Sequence, residues 1–188
     1  MKANFWTRLA LAVASAMLAG SLFLSIGMGL KACPLCLYER TFVMGVVGLL
    51  VMGMAVLPVP RPGSLAPLAL PMAVAGLSLA GFHVYLDRSG VLDCPAGILG
   101  IGHAPDQSLA GYLLLTTALV LGVFAAGRAE TGGGGSWAVV FGGVVLGGLL
   151  AFACIKSAPP LPPPNPTYGP SGERILSGCE PAVPEEGP

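Results

Sequence analysis

The sequence predicts an all-α membrane protein, a bundle of about five transmembrane helices followed by an extended C-terminal tail. Hydrophobic residues make up 54% of the 188 residues, charged residues only 10%, and the mean hydropathy is +0.80. A typical soluble domain devotes about a quarter of its residues to charged side chains. The nine basic and nine acidic residues are therefore too few to cover a soluble globule of this length. Their net charge of zero also gives no electrostatic basis for binding nucleic acid.

Long uncharged runs place the five helices. Each run contains about 20 residues, the length that an apolar helix needs to cross the hydrocarbon core of a bilayer. The five runs are Leu9–Leu30, Thr41–Val59, Leu65–Leu86, Ser108–Gly127 and Trp137–Ile155. The first is longer than the apolar core of a signal peptide, so we expect it to be a retained span.

The positions of four of the five cysteines predict on which side of the membrane the redox chemistry takes place. Cys33 and Cys36 lie between the first two runs, Cys94 lies between the third and fourth, and Cys179 lies in the tail. Alternation across five spans puts all four on one side of the membrane. Disulfide chemistry requires an oxidising compartment, so we expect this side to be extracytoplasmic. The basic residues before the first run favour the same orientation, with the N-terminus inside.

A change in composition after Ile155 predicts two units, a transmembrane redox domain over 1–155 and a proline-rich extracytoplasmic tail over 156–188. Proline-rich segments extend by about 3.1 Å per residue, so the tail is long enough to carry Cys179 back across the membrane surface. We expect Cys179 to pair with Cys94. Cys154, at the end of the fifth run, is the alternative partner, although a buried hydrophobic role is expected for it.

The fifth run also carries a stripe of small residues at four-residue spacing, Gly143, Gly147 and Ala151. Small residues allow two membrane helices to approach closely. We expect this stripe to pack within the molecule rather than form a dimer interface.

The segment from Cys33 to Arg40 contains the motif with the clearest chemistry, a C-x-x-C at the start of the second span. Pro34 suits the first turn of a helix, and Cys36 would then face the free N–H groups and dipole that favour a thiolate. Arg40 follows Cys36 by four residues and lies on the same helical face. A purely structural disulfide is the alternative, but the nearby cation favours redox activity.

Zinc binding is a second alternative for this motif. The C-x-x-C together with His83, His103 or Cys94 supplies zinc-type ligands, but the sequence contains no second paired motif. We therefore predict no metal site, and we expect His103 to be solvated.

The Cys-x-x-Cys motif, the Tyr-Glu-Arg that follows it, and its position between two spans resemble disulfide bond formation protein B (DsbB). The resemblance is close over Cys33–Arg40 and looser through the first four spans. It implies a four-helix DsbB-like core, with one added span in this chain, in the inner (plasma) membrane. It also implies a thiol–disulfide:quinone oxidoreductase that reoxidises a periplasmic thioredoxin-fold (DsbA-like) thiol oxidase.

The resemblance further implies a role for each site residue. Cys36 would face the quinone (ubiquinone or menaquinone) from the membrane pool, Arg40 would stabilise the thiolate and the reduced ring, and Cys33 would exchange with a second cysteine pair. His83 matches a family histidine near the outer end of the third span. The family keeps its second pair in one loop, so Cys94 and Cys179 would replace it here, with Cys94 the site of attack by the partner.

Two other functions remain open at this stage. One is a vitamin K epoxide reductase-like quinone reductase, which also combines a small helical bundle with an outer cysteine pair and a C-x-x-C. The other is a non-enzymatic membrane subunit whose proline-rich tail binds a partner.

Overall fold

The computed structural model describes residues 2–56, 65–127, 134–159, 167–168, 174–175 and 178–182. Five long helices form a bundle: α1 (Lys2–Leu22), α2 (Pro34–Val56), α3 (Leu65–Arg88), α4 (Ala104–Gly127) and α5 (Gly134–Ser157). All five are long and apolar enough to cross a membrane. The predicted fold class is confirmed. Residues 57–64, residues 128–133 and most of the proline-rich tail lie outside the described residues.

Every described helix except α3 begins earlier than its uncharged run predicted, most clearly the first two. The first begins at Lys2 and the second at Pro34, because the helical backbone continues through charged residues such as Arg8 and Arg40. For these two helices, the predicted run starts directly after a charged residue, Arg8 or Arg40, that the helix in fact includes. The difference matters for the second span, since it puts the whole segment that follows Cys33 on α2.

The third helix is the centre of the bundle. It packs against α2, α4 and α5, while α1 packs against α2 and α4. Small residues along α3, among them Ala66, Ala69 and Ala73, are completely buried and let the neighbouring helices approach closely. Because α3 is surrounded in this way, its polar residue His83 is buried.

The predicted small-residue stripe of α5 faces α3 and is confirmed as an intramolecular contact. A Cβ atom at Gly147 would lie 2.7 Å from the backbone oxygen of Pro71, and one at Gly143 would lie 2.9 Å from Leu70. Ala151 is buried. The fifth helix therefore packs on the α3 side of the bundle and delivers the tail to the same end as Cys94.

Short extended segments cover that end of the bundle. β1 (Leu92–Asp93) pairs antiparallel with β4 (Glu180–Pro181), and Lys31 forms a parallel bridge with Gly178. A separate pair is formed by β2 (Thr167–Tyr168) and β3 (Arg174–Ile175). The tail segment 178–182 thus lies between the α3–α4 connection and the residues that precede Cys33.

Candidate redox site

The C-x-x-C begins where the chain turns from α1 into α2. After α1 a π-helical turn runs over Phe23–Gly27, and Gly29 then adopts a φ of +69°, a conformation that favours glycine. Cys33 occupies the N-cap position directly before Pro34, the first residue of α2. The backbone N–H of Cys36 donates to Cys33 Sγ over 3.2 Å. A free N–H group at this helix end therefore donates to the sulfur of Cys33. The sequence predicted instead that such groups stabilise a thiolate at Cys36.

Cys33 and Cys36 are free, and their sulfur atoms lie 2.9 Å apart. The hydrogen bond with the Cys36 thiol lowers the pKa of Cys33 to about 5, against the opposing effect of burial. The nearby His83 ring and the Cys36 N–H lower the same pKa further. Cys33 is thus the sulfur of the pair with a stabilised thiolate.

The second cysteine pair is a disulfide between Cys94 and Cys179. The pairing of Asp93 with Glu180 in the β1–β4 ladder brings the next residues of the two strands opposite each other, which explains their Cα–Cα distance of 4.1 Å. This is the pairing that the sequence analysis favoured over Cys94–Cys154. Both cysteine residues are buried.

His83 lies at the centre of the two pairs. Its Nε2 atom is 3.3 Å from Cys179 Sγ, 3.5 Å from Cys94 Sγ and 3.8 Å from Cys33 Sγ. Only 1% of the residue is exposed. The imidazole is therefore placed to exchange a proton with thiols of both pairs.

Glu39 orients this histidine. Its Oε1 atom lies 3.0 Å from His83 Nδ1, and the Ser108 hydroxyl donates to Oε2. The Tyr112 hydroxyl donates to the backbone carbonyl of Glu39 and fixes this turn of α2 against α4. When the ring is neutral, the Glu39 carboxylate accepts the proton of Nδ1 and the Nε2 lone pair is directed at the sulfurs.

Glu39 belongs to the Tyr-Glu-Arg segment of the family motif, but the sequence predicts no role for it. An ionisable residue within a membrane span points to a function by default, and that rule was available for Glu39. The contact partner could not be found in this way, because His83 is 44 positions further along the chain.

Arg40 is held by α1. Its Nε donates to the Ser21 hydroxyl over 2.9 Å, and Nη2 donates to the Ser21 carbonyl over 3.0 Å and to the Ser25 hydroxyl. Ser25 belongs to the π-helical turn at the end of α1. These bonds place the guanidinium at the edge of a cavity between α1 and the other helices.

The cavity has a volume of about 190 Å³ and receives residues from α1, α2, α3 and α4. The three residues that the sequence analysis assigned to quinone binding, Cys36, Arg40 and His83, all line it. Most of the remaining lining is apolar, while Gln107 and Ser108 add polar groups. An apolar cleft with a few convergent polar groups suits a ring with two oxygen atoms.

Two other expectations need correction. Cys154 is free and partly exposed rather than buried, because it lies near the end of α5. His103 is half-exposed but also paired, with its Nδ1 2.7 Å from Asp87 Oδ2, rather than simply solvated. Neither residue joins the sulfurs around His83 among the contacts found for the described residues.

The fold and the site together define a class, a multi-pass helical membrane protein with two cysteine pairs gathered around a buried histidine. The family model described as "Disulfide bond formation protein DsbB" matches residues 3–96, half of the chain. The chain therefore belongs to the DsbB family, a family of membrane disulfide oxidoreductases. The matched segment contains Cys33, Cys36, Arg40, His83 and Cys94, and it ends before α4, α5 and Cys179. No curated protein and no solved structure gives a significant match.

Proposed function

We propose that the protein is a membrane thiol–disulfide:quinone oxidoreductase that reoxidises an extracytoplasmic dithiol protein of the thioredoxin fold. The observation that carries this proposal is the position of His83, with sulfur atoms of both pairs within 3.8 Å of its Nε2 atom. Two pairs that acted independently would not need a shared buried histidine. The family match also favours this function over the vitamin K epoxide reductase-like and non-enzymatic alternatives.

The first exchange takes place between the partner and the Cys94–Cys179 disulfide. A partner thiolate attacks Cys94 and releases Cys179 as a thiolate, and the second partner thiol then breaks the mixed disulfide. The partner becomes a disulfide, while Cys94 and Cys179 receive two electrons and two protons. Because both residues are buried, the partner must displace the 178–182 segment from β1 to reach Cys94.

The second exchange connects the two pairs. The Cys179 thiolate attacks Cys33 in the Cys33–Cys36 disulfide and releases Cys36, after which Cys94 attacks Cys179 and releases Cys33. The sulfur atoms of Cys33, Cys36 and Cys179 lie within 4.8 Å of one another, so these steps need only small movements. His83 accepts and returns the thiol protons, and Glu39 holds its ring in the required tautomer.

The cavity next to Cys36 fits a quinone ring, with apolar side chains around it and Arg40 as a hydrogen-bond donor. His83 becomes a second donor once its Nε2 atom has accepted a thiol proton. A bound quinone would accept two electrons and two protons from the Cys33 and Cys36 thiols, and this loss would restore their disulfide. Arg40 supplies a permanent positive charge beside the sulfur and the ring. Its bonds to Ser21 and Ser25 fix this charge at the cavity edge.

This function sets the orientation and the roles of the two sequence units. We propose that the cysteine end faces the extracytoplasmic side of the inner membrane, where the partner oxidase and an oxidising environment are found. We also propose that the 156–188 tail acts with the 1–155 domain, because it contributes Cys179 to the exchange.

Turnover by single-cysteine variants tests the function. Cys33→Ser and Cys36→Ser should each abolish quinone reduction by a reduced thioredoxin-fold dithiol protein, because each removes the disulfide that passes electrons to the ring. The measurement is the loss of quinone absorbance with purified, detergent-solubilised protein. Cys154→Ser is the matched control and should keep wild-type turnover. Full activity in Cys36→Ser would contradict the proposed route.

A further inference from the structure

The same sulfur cluster has the composition of a zinc site. Cys33 Sγ, Cys36 Sγ, Cys179 Sγ and a ring nitrogen of His83 all lie within 4.8 Å of one another. Three thiolates and one imidazole form a common tetrahedral zinc set, with Zn–S bonds of about 2.3 Å and Zn–N bonds of about 2.0 Å. Ligand atoms at the observed separations need to move by only small amounts to surround one ion. The zinc ligands expected from the sequence do not include Cys179.

The surroundings of His83 independently match those of a metal ligand. Zinc-bound histidines usually donate their other ring N–H to a carboxylate, which fixes the tautomer and increases ligand basicity. Glu39 Oε1 accepts in this position at 3.0 Å from Nδ1, and Ser108 holds the second carboxylate oxygen. The histidine nitrogen that faces the sulfurs is therefore the one prepared to bind a cation.

The four ligands are available together only when the Cys94–Cys179 disulfide is reduced. While Cys179 is bonded to Cys94, its sulfur is not a thiolate, and Cys33, Cys36 and His83 supply only three ligands. Two electrons and two protons from a dithiol reductant convert this disulfide into two thiols. We propose that the fully reduced protein binds one Zn²⁺ through Cys33, Cys36, Cys179 and His83, with release of the thiol protons of Cys36 and Cys179 to solvent.

Zinc binding would also affect catalysis. The ion would hold the thiolates of Cys33 and Cys179, which must be free for exchange between the pairs. Zinc would therefore inhibit quinone reduction and protect the reduced cysteines from oxidation. This consequence rests on the proposed function, whereas the binding of zinc itself does not.

Metal titration tests the site without any turnover measurement. The detergent-solubilised protein, reduced under anaerobic conditions and freed of reductant, is titrated with Co²⁺ and then with Zn²⁺. We expect thiolate-to-cobalt charge-transfer and tetrahedral visible absorption at one cobalt per chain, lost when zinc displaces it. Protein with the Cys94–Cys179 disulfide intact should bind roughly tenfold or more weakly. Equal binding by both forms would overturn the proposal.

Two matched variants separate ligation from loss of the disulfide. Cys94→Ser and Cys179→Ser both remove the same disulfide, but only Cys94→Ser retains the proposed ligand. After reduction, Cys94→Ser and the control Cys154→Ser should give the wild-type cobalt spectrum. Cys179→Ser and His83→Gln should bind roughly tenfold or more weakly and change the spectrum. A wild-type spectrum from Cys179→Ser would overturn the site even if quinone reduction proceeds as proposed.

Discussion

At the scale of single residues, the site consists of the Cys33 sulfur and the His83 ring beside it. Cys33 accepts the N–H of Cys36 and lies beside both the Cys36 sulfur and the His83 ring. Glu39 holds this ring from the opposite side. Contacts from Glu39 through His83 to Cys33 therefore connect a buried carboxylate to this sulfur.

The pH dependence of Cys33 alkylation tests its thiolate. Because hydrogen bonding with Cys36 lowers the pKa of Cys33 from 9.0 to about 5, the deprotonated form should persist at neutral pH. Labelling by a small permeant alkylating reagent, followed for the Cys33 peptide by mass spectrometry, should stay constant near neutral pH. It should fall as the pH decreases through about 5.

The unfolded protein provides the control for this measurement. In denaturant Cys33 should lose labelling as the pH decreases through its ordinary value of 9.0. A folded protein with the same midpoint as the unfolded chain would show that the contacts of Cys33 do not stabilise its thiolate.

At the scale of elements, the contact between α3 and α5 positions the tail. Gly147 packs against the backbone of α3 at Pro71 and against Val74, so any side chain there must displace one helix. The next residue, Gly148, has no atom within 4 Å of its Cβ position among the described residues. These adjacent glycines offer a direct comparison between a packed and an open face of the same helix.

Gly147→Ala should destabilise the folded protein by about 1–3 kcal/mol through overpacking of this contact. Gly148→Ala should be neutral or stabilising by up to about 1 kcal/mol, because alanine favours helix and meets no neighbour. Thermal unfolding in detergent, followed by circular dichroism, measures both variants. Equal unfolding temperatures for the two variants would contradict the observed packing of α5 on α3.

The described tail residues 178–182 are held by backbone pairing. This segment pairs with β1 and bridges to Lys31, which fixes Cys179 between the two connections that carry the other cysteines. Cys179 thus reaches Cys94 from a segment 85 positions further along the chain.

At the scale of the whole molecule, the spans and the C-x-x-C were predictable because each depends on local sequence. A helix that crosses a bilayer must be apolar over about 20 residues, and the Cys33–Arg40 motif is continuous. The Glu39–His83 contact and the position of Cys179 depend on residues far apart in the chain. Composition showed that the tail could reach Cys94, but only the β1–β4 register brought the two cysteines opposite each other.

If the two cysteine pairs exchange through Cys33 and Cys179, a disulfide between these two residues can be trapped. In the Cys36→Ser/Cys94→Ser double variant, Cys33 and Cys179 lose their resolving partners while Cys154 remains as an internal competitor. Mild oxidation followed by mass spectrometry of unreduced peptides should identify a Cys33–Cys179 disulfide, because the two sulfurs lie within 4.8 Å. A Cys33–Cys154 or Cys154–Cys179 disulfide as the main product, or three free thiols, would contradict the account.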